Sequence, residues 1–466
     1  MSEASRRIAA LAIGAAIVAM AQALALAETK NVIVMVADGS GFNAWNATSM
    51  YQGRWDASRG KSTQVYDGPG WVAYGCSTFP LTTSKKPTGK GTQDADLVYA
   101  PGKAWGDIGA YGWLTKTYTD SAAAATALST GTKTYNNAIN WSDRNEPITP
   151  TVTERAKAAG KAAGVITTVQ WCHATPAGFS NAHESERDNY EAIANQMLGG
   201  GVLDVIMGGG NPDFDNDGRP AGKRRECKYV GGEAVWKEIE AARGKAGATY
   251  KGFRPVSTKA EFEALVPGPA PSRVLGTAQV GTTLRQARAK KDTNDPARDT
   301  PVNPDLPDLP LMARAAINVL DDNPRGFFLM IEGGAVDWAN HSNQPGRMIQ
   351  EQMDFVAAVE AVIKWVETKS SWKDTLLVLT ADHETGLIWG PKSDAKAFDP
   401  IVDHGKGAMP GFRYNSKTHS NSLVPLFAKG AGSERLADKV VGKDPVRGPY
   451  VDNTGVSAVV AEAVGK

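Results

Sequence analysis

The 466-residue chain is poor in cysteine, in histidine and in net charge. Its three cysteines, Cys76, Cys172 and Cys227, allow at most one disulfide bridge, which excludes a disulfide framework. One bridge and three free thiols both remain open. The formal net charge of +1, without a long run of like charge, gives no indication of specific nucleic-acid binding. Partners must therefore be identified from individual sites.

The N-terminus has the pattern of an export signal. Arg6 and Arg7 precede an apolar stretch rich in Ala and Ile, which ends in Ala25-Leu26-Ala27. We expect cleavage after Ala27, so that residues 1–27 are a signal peptide and residues 28–466 are periplasmic or secreted without a stable membrane anchor. The alternative is that this stretch is an uncleaved anchor helix. Its Ala and Gly content makes it only weakly hydrophobic, which favours the signal peptide. General secretion and twin-arginine export both remain open.

Short apolar runs alternate with helical patterns along the mature chain. Buried strands are predicted at residues 31–36, 165–169, 327–331 and 375–380. Helical spacing occurs at residues 151–163, 190–198, 311–320 and 347–366. This alternation predicts an α/β fold with a largely parallel central sheet that helices cover. Residues of about 52–112 and 211–310 differ in composition, and we interpret them as long insertions outside the sheet.

Acidic residues and histidines follow several of the predicted strands. Asp38, Glu332 and Asp382 stand at three strand ends, and parallel strands place such residues on one edge of the sheet. The chain has only six histidines, and His341 and His383 lie close to acids in this region. Each feature alone is compatible with a turn, a solvated pair or a helix cap. Together, carboxylates and imidazoles predict zinc, and a pair of zinc ions suits phosphoryl transfer.

The stretch YTDSAAAATALSTG predicts a tightly packed helix that begins near Asp120 or Ser121. Backbone N–H groups at the helix N-terminus stabilise an anion there. The alternative is that Asp120 and Ser121 are a plain helix cap. A serine hydroxyl is a poor nucleophile unless a base or a metal ion promotes its ionisation.

Several motifs resemble those of the metal-dependent alkaline phosphatases, and they occur in the family's order. They are VMVADGSG, TDSAAAATALSTGTKTYNNAI, HATPAG, DVIMGGG, EGGAVDWANH, TADHETG and HSNSLVPLFAKG. The resemblance covers most of residues 31–430, apart from the two insertions. It implies a catalytic domain over residues 28–466, with helices on both faces of the sheet, that hydrolyses phosphate monoesters.

The resemblance also implies roles for individual residues. Ser121 would be the nucleophile that becomes phosphoserine, and Arg187 would bind the phosphate. Two zinc ions and one magnesium ion are expected in three ligand groups. The first ligand group is Asp337, His341 and His419; the second is Asp38, Asp382 and His383, with Ser121; the third, for magnesium, is Asp38, Thr175 and Glu332.

Two positions depart from the best-known bacterial pattern of the family. His173 and Trp338 stand where some members have an aspartate and a lysine. We expect both near the third metal site, with His173 as a direct or a water-mediated ligand, so the identity of the third metal stays open. His183 and His404 are not assigned to the site.

Three classes of function follow from this reading. A phosphomonoesterase is favoured by Ser121 together with Arg187. A phosphodiesterase or a related superfamily hydrolase on the same metal scaffold is the alternative, and a non-catalytic binding protein would be expected to lack one of the ligands. The natural ester is not indicated, and a homodimer is an expectation by analogy with the family alone.

Overall fold

The computed structural model describes residues 29–289, 294 and 302–465, and the predicted signal peptide lies outside them. An eleven-stranded sheet forms its centre. Its strands, β1 to β11 in chain order, are Asn31–Ala37, Val72–Ser77, Ala162–Gln170, Val205–Gly209, Arg254–Val256, Val274–Thr277, Phe327–Gly333, Thr375–Thr380, Val424–Gly430, Val440–Asp444 and Gly448–Asp452. Across the sheet they follow the order β10-β11-β2-β9-β8-β1-β7-β3-β4-β6-β5.

Most neighbouring strands are parallel. From β8 through β1, β7, β3, β4 and β6 to β5, every pair runs in the same direction. The pair β11 and β2 is also parallel. Strand β9 runs antiparallel to both of its neighbours, and β10 runs antiparallel to β11. The prediction of a largely parallel central sheet is therefore confirmed.

Helices cover the sheet on both faces. In chain order, α1 to α13 are Phe42–Tyr51, Pro101–Ala104, Gly109–Leu114, Ser121–Thr130, Val152–Ala158, Ala174–Gly178, Tyr190–Leu198, Glu233–Arg243, Lys259–Ala264, Leu309–Leu320, Ala335–His341, Pro345–Lys369 and Asn453–Val464. Two short 3₁₀-helices cover Cys227–Val230 and Ser433–Lys439.

Strand β1 explains why both faces need a cover. Its side chains alternate between the faces, and all seven residues are buried. Val32 and Val34 belong to a core that contains side chains of α4, α5, α7, α8 and α13. Ile33 and Met35 belong to a second core, built with α10 and α12. Each such side chain contributes about 1.5–3 kcal/mol through burial, so neither face could be left to water.

The four predicted strands are all present, and three of the four predicted helices match closely. The exception is the predicted helix at residues 151–163, because α5 ends at Ala158. Gly160 then adopts a left-handed conformation with φ of 79°, and β3 begins at Ala162. The alanines of this stretch fit both a helix and a buried strand, and pairing with β7 and β4 decides for the strand.

The interpretation of residues 52–112 and 211–310 as excursions from the sheet is wrong in part. Val72–Ser77 in the first segment is a strand between β9 and β11. Arg254–Val256 and Val274–Thr277 in the second segment form the opposite edge of the sheet. These strands are short and lie among Gly, Pro and charged residues, so the composition of the long window hid them. The division of residues 28–466 into one domain with two insertions stays a prediction.

The cysteines and the long helices add two findings. All three cysteines have free thiols, and Cys76 and Cys172 are buried. Within the described ranges, we find no helix with the length and the apolar character that crossing a membrane requires.

Candidate active site

The acidic residues of the site come from three neighbouring strands, β8, β1 and β7, at their carboxyl ends. Asp38 follows β1 directly, Glu332 is the penultimate residue of β7, and Asp382 follows β8 by two residues. All three side chains are almost completely buried, with at most 1% exposure. The predicted convergence on one sheet edge is therefore present in the structure.

Helix α4 places Ser121 at the same edge. Asp120 caps the helix, since its Oδ1 accepts a hydrogen bond of 3.0 Å from the backbone N–H of Ala123. The small alanine side chains let α4 pack closely on α6. At the contact with Gly178 of α6 the space is so narrow that a Cβ atom on this glycine would lie only 2.6 Å from that of Ala125. Ser121 is the first helical residue, and its Oγ lies 3.1 Å from Nε2 of His383. The cap and the serine are thus two adjacent residues.

The first ligand group brings two imidazole nitrogens face to face. Nδ1 of His341 lies 2.6 Å from the Lys417 carbonyl oxygen, and Nδ1 of His419 lies 2.9 Å from that of Thr119. A carbonyl only accepts hydrogen bonds, so both Nδ1 atoms carry hydrogens. The Nε2 atoms of the two rings are 3.0 Å apart, and therefore a proton or a cation has to lie between them.

Asp337 completes this group with both of its oxygens. Its Oδ2 lies 3.3 Å from Nε2 of His341, and its Oδ1 lies 3.6 Å from Nε2 of His419. One ligand atom from each of the three residues lies within 4.8 Å of the others. Two imidazoles whose Nδ1 atoms donate to carbonyl groups, so that both Nε2 atoms face inward, fit a zinc ion together with one carboxylate.

The second ligand group has its imidazole fixed in the same way. The Thr385 hydroxyl donates to Oδ1 of Asp337, so its oxygen accepts from Nδ1 of His383 at 3.3 Å. Nε2 of His383 is then unprotonated, and it faces Oδ2 of Asp382 at 3.2 Å and Oδ1 of Asp38 at 3.6 Å. A lone pair that faces two carboxylates is repelled by them unless a cation lies between, so this group also fits a metal ion.

The pKa values of the carboxyl groups reflect this crowding. Burial raises the pKa of Asp38 well above its usual value, and repulsion by Asp382, Asp337 and Glu332 raises it further. Burial likewise raises the pKa of Asp382 to about 7, with Asp337 acting in the same direction. Bound cations would remove both causes, because they neutralise the ionised carboxylates.

The third ligand group lies around Glu332. Burial raises its pKa to about 7, although the hydroxyls of Thr167 and Thr175 and the carboxyl group of Asp38 act in the opposite direction. Oε1 of Glu332, Oδ1 of Asp38 and Oγ1 of Thr175 are buried without a hydrogen-bond partner. Buried polar atoms are normally satisfied, so three unpaired oxygens in one place fit a hard cation such as magnesium.

His173 and Trp338 lie together in the cleft over the site. Their rings pack edge to face with centroids 5.6 Å apart, and His173 also stacks on Tyr190 at 5.9 Å. Burial lowers the pKa of His173 to about 3, and Arg187 contributes in the same direction. The imidazole is therefore neutral, and its buried Nδ1 has no hydrogen-bond partner. This chemistry permits His173 to serve as a ligand.

Arg187 reaches the site from the loop before α7. Its Nη1 donates a hydrogen bond of 2.9 Å to Oδ2 of Asp120, and its backbone N–H donates to the carbonyl group of Asn137. Burial alone would lower the pKa of Arg187, but Asp120 outweighs this effect and raises it. Arg187 therefore stays positively charged beside Ser121.

An open cleft of about 900 Å³ leads to Ser121. Sequence reasoning missed several residues that line it, namely Thr83, Lys85, Lys116, Tyr118, Asn137, Asp188, Tyr190 and Gln286. It also missed the supporting role of Asp120 and Thr385. Asp120, Asn137 and Thr385 lie within the family's motifs, but the resemblance assigned no role to them. Only the composition of the two long segments pointed to a function for Lys85 and Gln286.

Two histidines lie outside the site, as the sequence analysis left them. His183 contacts Oε1 of Glu154 through Nε2 at 3.1 Å. His404 is exposed, and its Nδ1 donates to the Met409 carbonyl group at 2.8 Å. Neither residue lines the cleft over Ser121.

The chain is similar to known proteins in sequence and in fold. It is 36% identical over 273 residues to alkaline phosphatase 3 of Bacillus subtilis (strain 168), which is 58% of this chain and 49% of that relative. The matched region thus spans about half the length of that relative. This chain is also 28% identical to the alkaline phosphatase of Escherichia coli (strain K12) over 440 residues. That match covers 88% of this chain and 83% of the relative.

A solved structure supports the same fold. The cold-active alkaline phosphatase from the psychrophile Shewanella sp. superposes with a TM-score of 0.61 at 24% identity, covering 94% of this chain and all of that one. The family model described as alkaline phosphatase matches residues 111–402. Since that match includes more than half of the chain, the protein belongs to the alkaline phosphatase family.

Proposed function

We propose that the protein hydrolyses phosphate monoesters to an alcohol and inorganic phosphate, with a phosphoserine intermediate on Ser121. The observation that carries this proposal is the position of the Ser121 hydroxyl, at the N-terminus of α4 and 3.1 Å from Nε2 of His383. Both ligand groups with imidazoles lie beside it. A serine in this environment is a nucleophile rather than a simple helix cap.

In the proposed reaction the residues of the chain bind and orient the phosphate. Arg187 offers N–H groups to phosphate oxygens, and Asp120 holds it in place through Nη1. The N-terminus of α4 adds its dipole. Ser121 Oγ loses its proton and forms a bond to phosphorus while the bond between phosphorus and the alcohol oxygen breaks, and the alcohol oxygen takes up one proton. A water molecule then cleaves the phosphoserine, which releases phosphate and restores the serine.

We propose that the first and second ligand groups each hold zinc and that the third holds magnesium, with His173 close to the third. When bound, these ions would favour ionisation of the hydroxyl and of water and would stabilise negative charge on the leaving oxygen. The unpaired oxygens of Asp38, Asp382, Glu332 and Thr175 support this assignment.

The test compares p-nitrophenyl phosphate with bis(p-nitrophenyl) phosphate at alkaline pH, before and after chelation, with zinc and then magnesium added back. We expect monoester hydrolysis that is lost with the chelator and returns with zinc. Preference for the diester would instead support the alternative, a phosphodiesterase or related hydrolase on the same scaffold. Activity that is indifferent to chelation would contradict the proposed metal dependence.

A pair of variants tests the nucleophile. Ser121→Ala should lower kcat/KM by at least about a thousandfold, because the attacking oxygen is lost. Ser129→Ala makes the same change two turns later in α4, where the residue is buried outside the cleft. It should retain activity. Equal activity of both variants would show that Ser121 is not the nucleophile.

We further propose that the mature protein is exported and that it forms a homodimer. The first idea rests on the pattern at residues 1–27 and the second on analogy with the family. N-terminal sequencing of the mature protein tests the first, and an intact Arg6-Arg7 in a cytoplasmic protein would contradict it. Light scattering on the purified protein tests the second.

A further inference from the structure

Both of the long atypical segments contribute to the cleft over Ser121. Thr83 and Lys85 come from residues 52–112, and Gln286 comes from residues 211–310. Lys116 and Tyr118 follow α3 and line the same cleft. None of these side chains belongs to a metal-ligand group, so their position calls for a role in binding the rest of the substrate.

Two of these residues bring unpaired positive charge to the cleft. Lys85 and Lys116 are exposed, and neither ammonium group has a hydrogen bond or an ion pair with any of the described residues. Two of the three acidic residues that line the cleft already have partners of their own. Asp120 pairs with Arg187. Asp337 contacts His341 and His419.

Asp188 is the remaining acidic residue of the cleft, and it belongs to a different part of the wall. It interacts with Tyr190, which stacks on His173. Tyr118 instead packs edge to face on His419, with ring centroids 5.3 Å apart. Lys116 is two residues from Tyr118 in the chain. Lys116 therefore lies next to the residue that packs on the first ligand group, whereas the negative charge of Asp188 lies beside the residue that packs on His173.

The leaving alcohol should emerge beside Tyr118, and this step rests on the proposed function. In an in-line displacement the alcohol departs on the side of phosphorus opposite to the attacking Ser121 Oγ. That oxygen faces His383 of the second ligand group. The leaving oxygen would then face the first ligand group, which contains His419, and Tyr118 covers the His419 ring.

We propose that the preferred substrates are phosphate monoesters whose alcohol carries a second anionic group. Lys85 and Lys116 bind that group, and Tyr118 contacts the carbon skeleton between it and the ester. A carboxylate and a second phosphate share the chemistry that two ammonium groups recognise. The reaction itself is unchanged, and the product alcohol leaves with its anionic group intact.

The experiment compares esters that differ only at the far end of the alcohol. Straight-chain ω-carboxyalkyl phosphates are matched with ω-hydroxyalkyl phosphates of equal length, and an ω-phosphonoalkyl series represents a second phosphate that cannot be hydrolysed. The readout is the ratio of kcat/KM for the charged ester to that for the neutral ester. We expect a ratio of about three to ten at low salt, greatest at the chain length that reaches the lysines. The carboxylate and phosphonate series show which anion is preferred.

Variants assign the preference to the two lysines. In Lys85→Gln/Lys116→Gln the ratio should fall to about one, since only the charge of the far group is recognised there. Lys86→Gln is the matched control, because Lys86 is exposed beside Lys85 but does not line the cleft. It should keep the ratio of the unaltered protein. High salt should also lower the ratio, because it screens exposed charges.

The outcomes separate this inference from the proposed function. If neither ester of a pair is hydrolysed, the proposed function fails. If both esters are hydrolysed at a ratio near one at every chain length, the proposed function stands and the inference fails. A high ratio that persists in the double variant would also overturn the inference, because other groups would then recognise the anion.

Discussion

Asp120 joins the proposed nucleophile and the proposed phosphate-binding arginine through its two carboxylate oxygens. Oδ1 accepts from the backbone N–H of Ala123 and so caps the helix that begins with Ser121. Oδ2 accepts from Nη1 of Arg187 at 2.9 Å and from the backbone N–H of Asn137 at 3.0 Å. One side chain therefore fixes both Ser121 and Arg187.

Replacement of Asp120 should separate these two functions. Asp120→Asn keeps a good cap but removes the negative charge that holds Arg187, so we expect weaker phosphate binding, with KM and the inhibition constant of inorganic phosphate raised about three- to tenfold. Asp120→Ala also removes the cap, which costs about 1 kcal/mol of stability. Steady-state kinetics and urea unfolding measure the two effects. Unchanged phosphate inhibition in Asp120→Asn would contradict this account of Arg187.

Gly39 leaves room for Asp337, and a side chain there should displace it. A Cβ atom on Gly39 would lie 2.6 Å from Oδ1 of Asp337 and 2.7 Å from its Cα. Gly39→Ala should therefore weaken zinc binding at least about tenfold, measured as zinc content after dialysis against graded chelator. Gly39 has a φ of 68°, so alanine also introduces backbone strain.

Gly60→Ala controls for that strain. Gly60 has a φ of 58°, and a Cβ atom there would meet no atom within 4 Å. This variant should lose a similar amount of stability but keep its zinc. Equal loss of zinc in both variants would mean that backbone strain, rather than the contact with Asp337, disturbs the site.

Zinc binding should release protons at mildly alkaline pH. Burial lowers the pKa of His341, but Asp337 and the Lys417 carbonyl group outweigh it and raise the pKa to about 9. Near pH ~8 the metal-free protein therefore holds a proton on His341, which zinc must displace from Nε2. Titration calorimetry in buffers of different ionisation enthalpy measures this release, which should decrease above about pH 10.

His341→Gln should lose this component of the proton release, whereas His404→Gln, at an exposed histidine outside the cleft, should keep it. Release that does not depend on pH between about 8 and 10 would contradict the assignment of the displaced proton to His341.

Some residues of the site were predicted from a local signature in the sequence, and the others, such as Arg187 and His419, were assigned by the resemblance alone. An acidic residue at the end of a parallel strand lies on the carboxyl edge of the sheet, so the strand pattern alone predicted the position of Asp38, Glu332 and Asp382. Asp337 and His341 lie four residues apart on one helix, so a single turn of α11 brings them together.

Other parts depend on contacts between distant segments. The resemblance placed His383 and His419 in two ligand groups, but it did not predict that their rings stack with centroids 3.6 Å apart. This approach depends on the pairing of Glu384–Thr385 with His419–Ser420. Lys85 and Lys116 have no local pattern that distinguishes them from surface lysines. The short strands Arg254–Val256 and Val274–Thr277 were also missed, because pairing stabilises them more than their own composition does. Val274–Thr277 pairs with β4, and Arg254–Val256 pairs with Val274–Thr277.

Glu351 predicts how stability depends on pH. It lies on α12, where it is 1% exposed and neither carboxyl oxygen has a hydrogen-bond partner. Arg285 is close, but it forms an ion pair of 2.7 Å with Asp354. Burial therefore raises the pKa of Glu351 from 4.5 to about 7, although Arg285 acts in the opposite direction.

A raised pKa in the folded state makes this carboxyl group destabilising at high pH. Below about pH 4.5 the group is protonated in both states, and above about pH 7 the folded protein holds an ionised carboxylate that the unfolded chain solvates better. Glu351→Gln should therefore change the free energy of unfolding little near pH ~4 and raise it by up to about 3 kcal/mol near pH ~9. Urea unfolding at both pH values measures this. Glu367→Gln, at an exposed position of the same helix, should show no such dependence, and an equal response of the two variants would contradict the prediction.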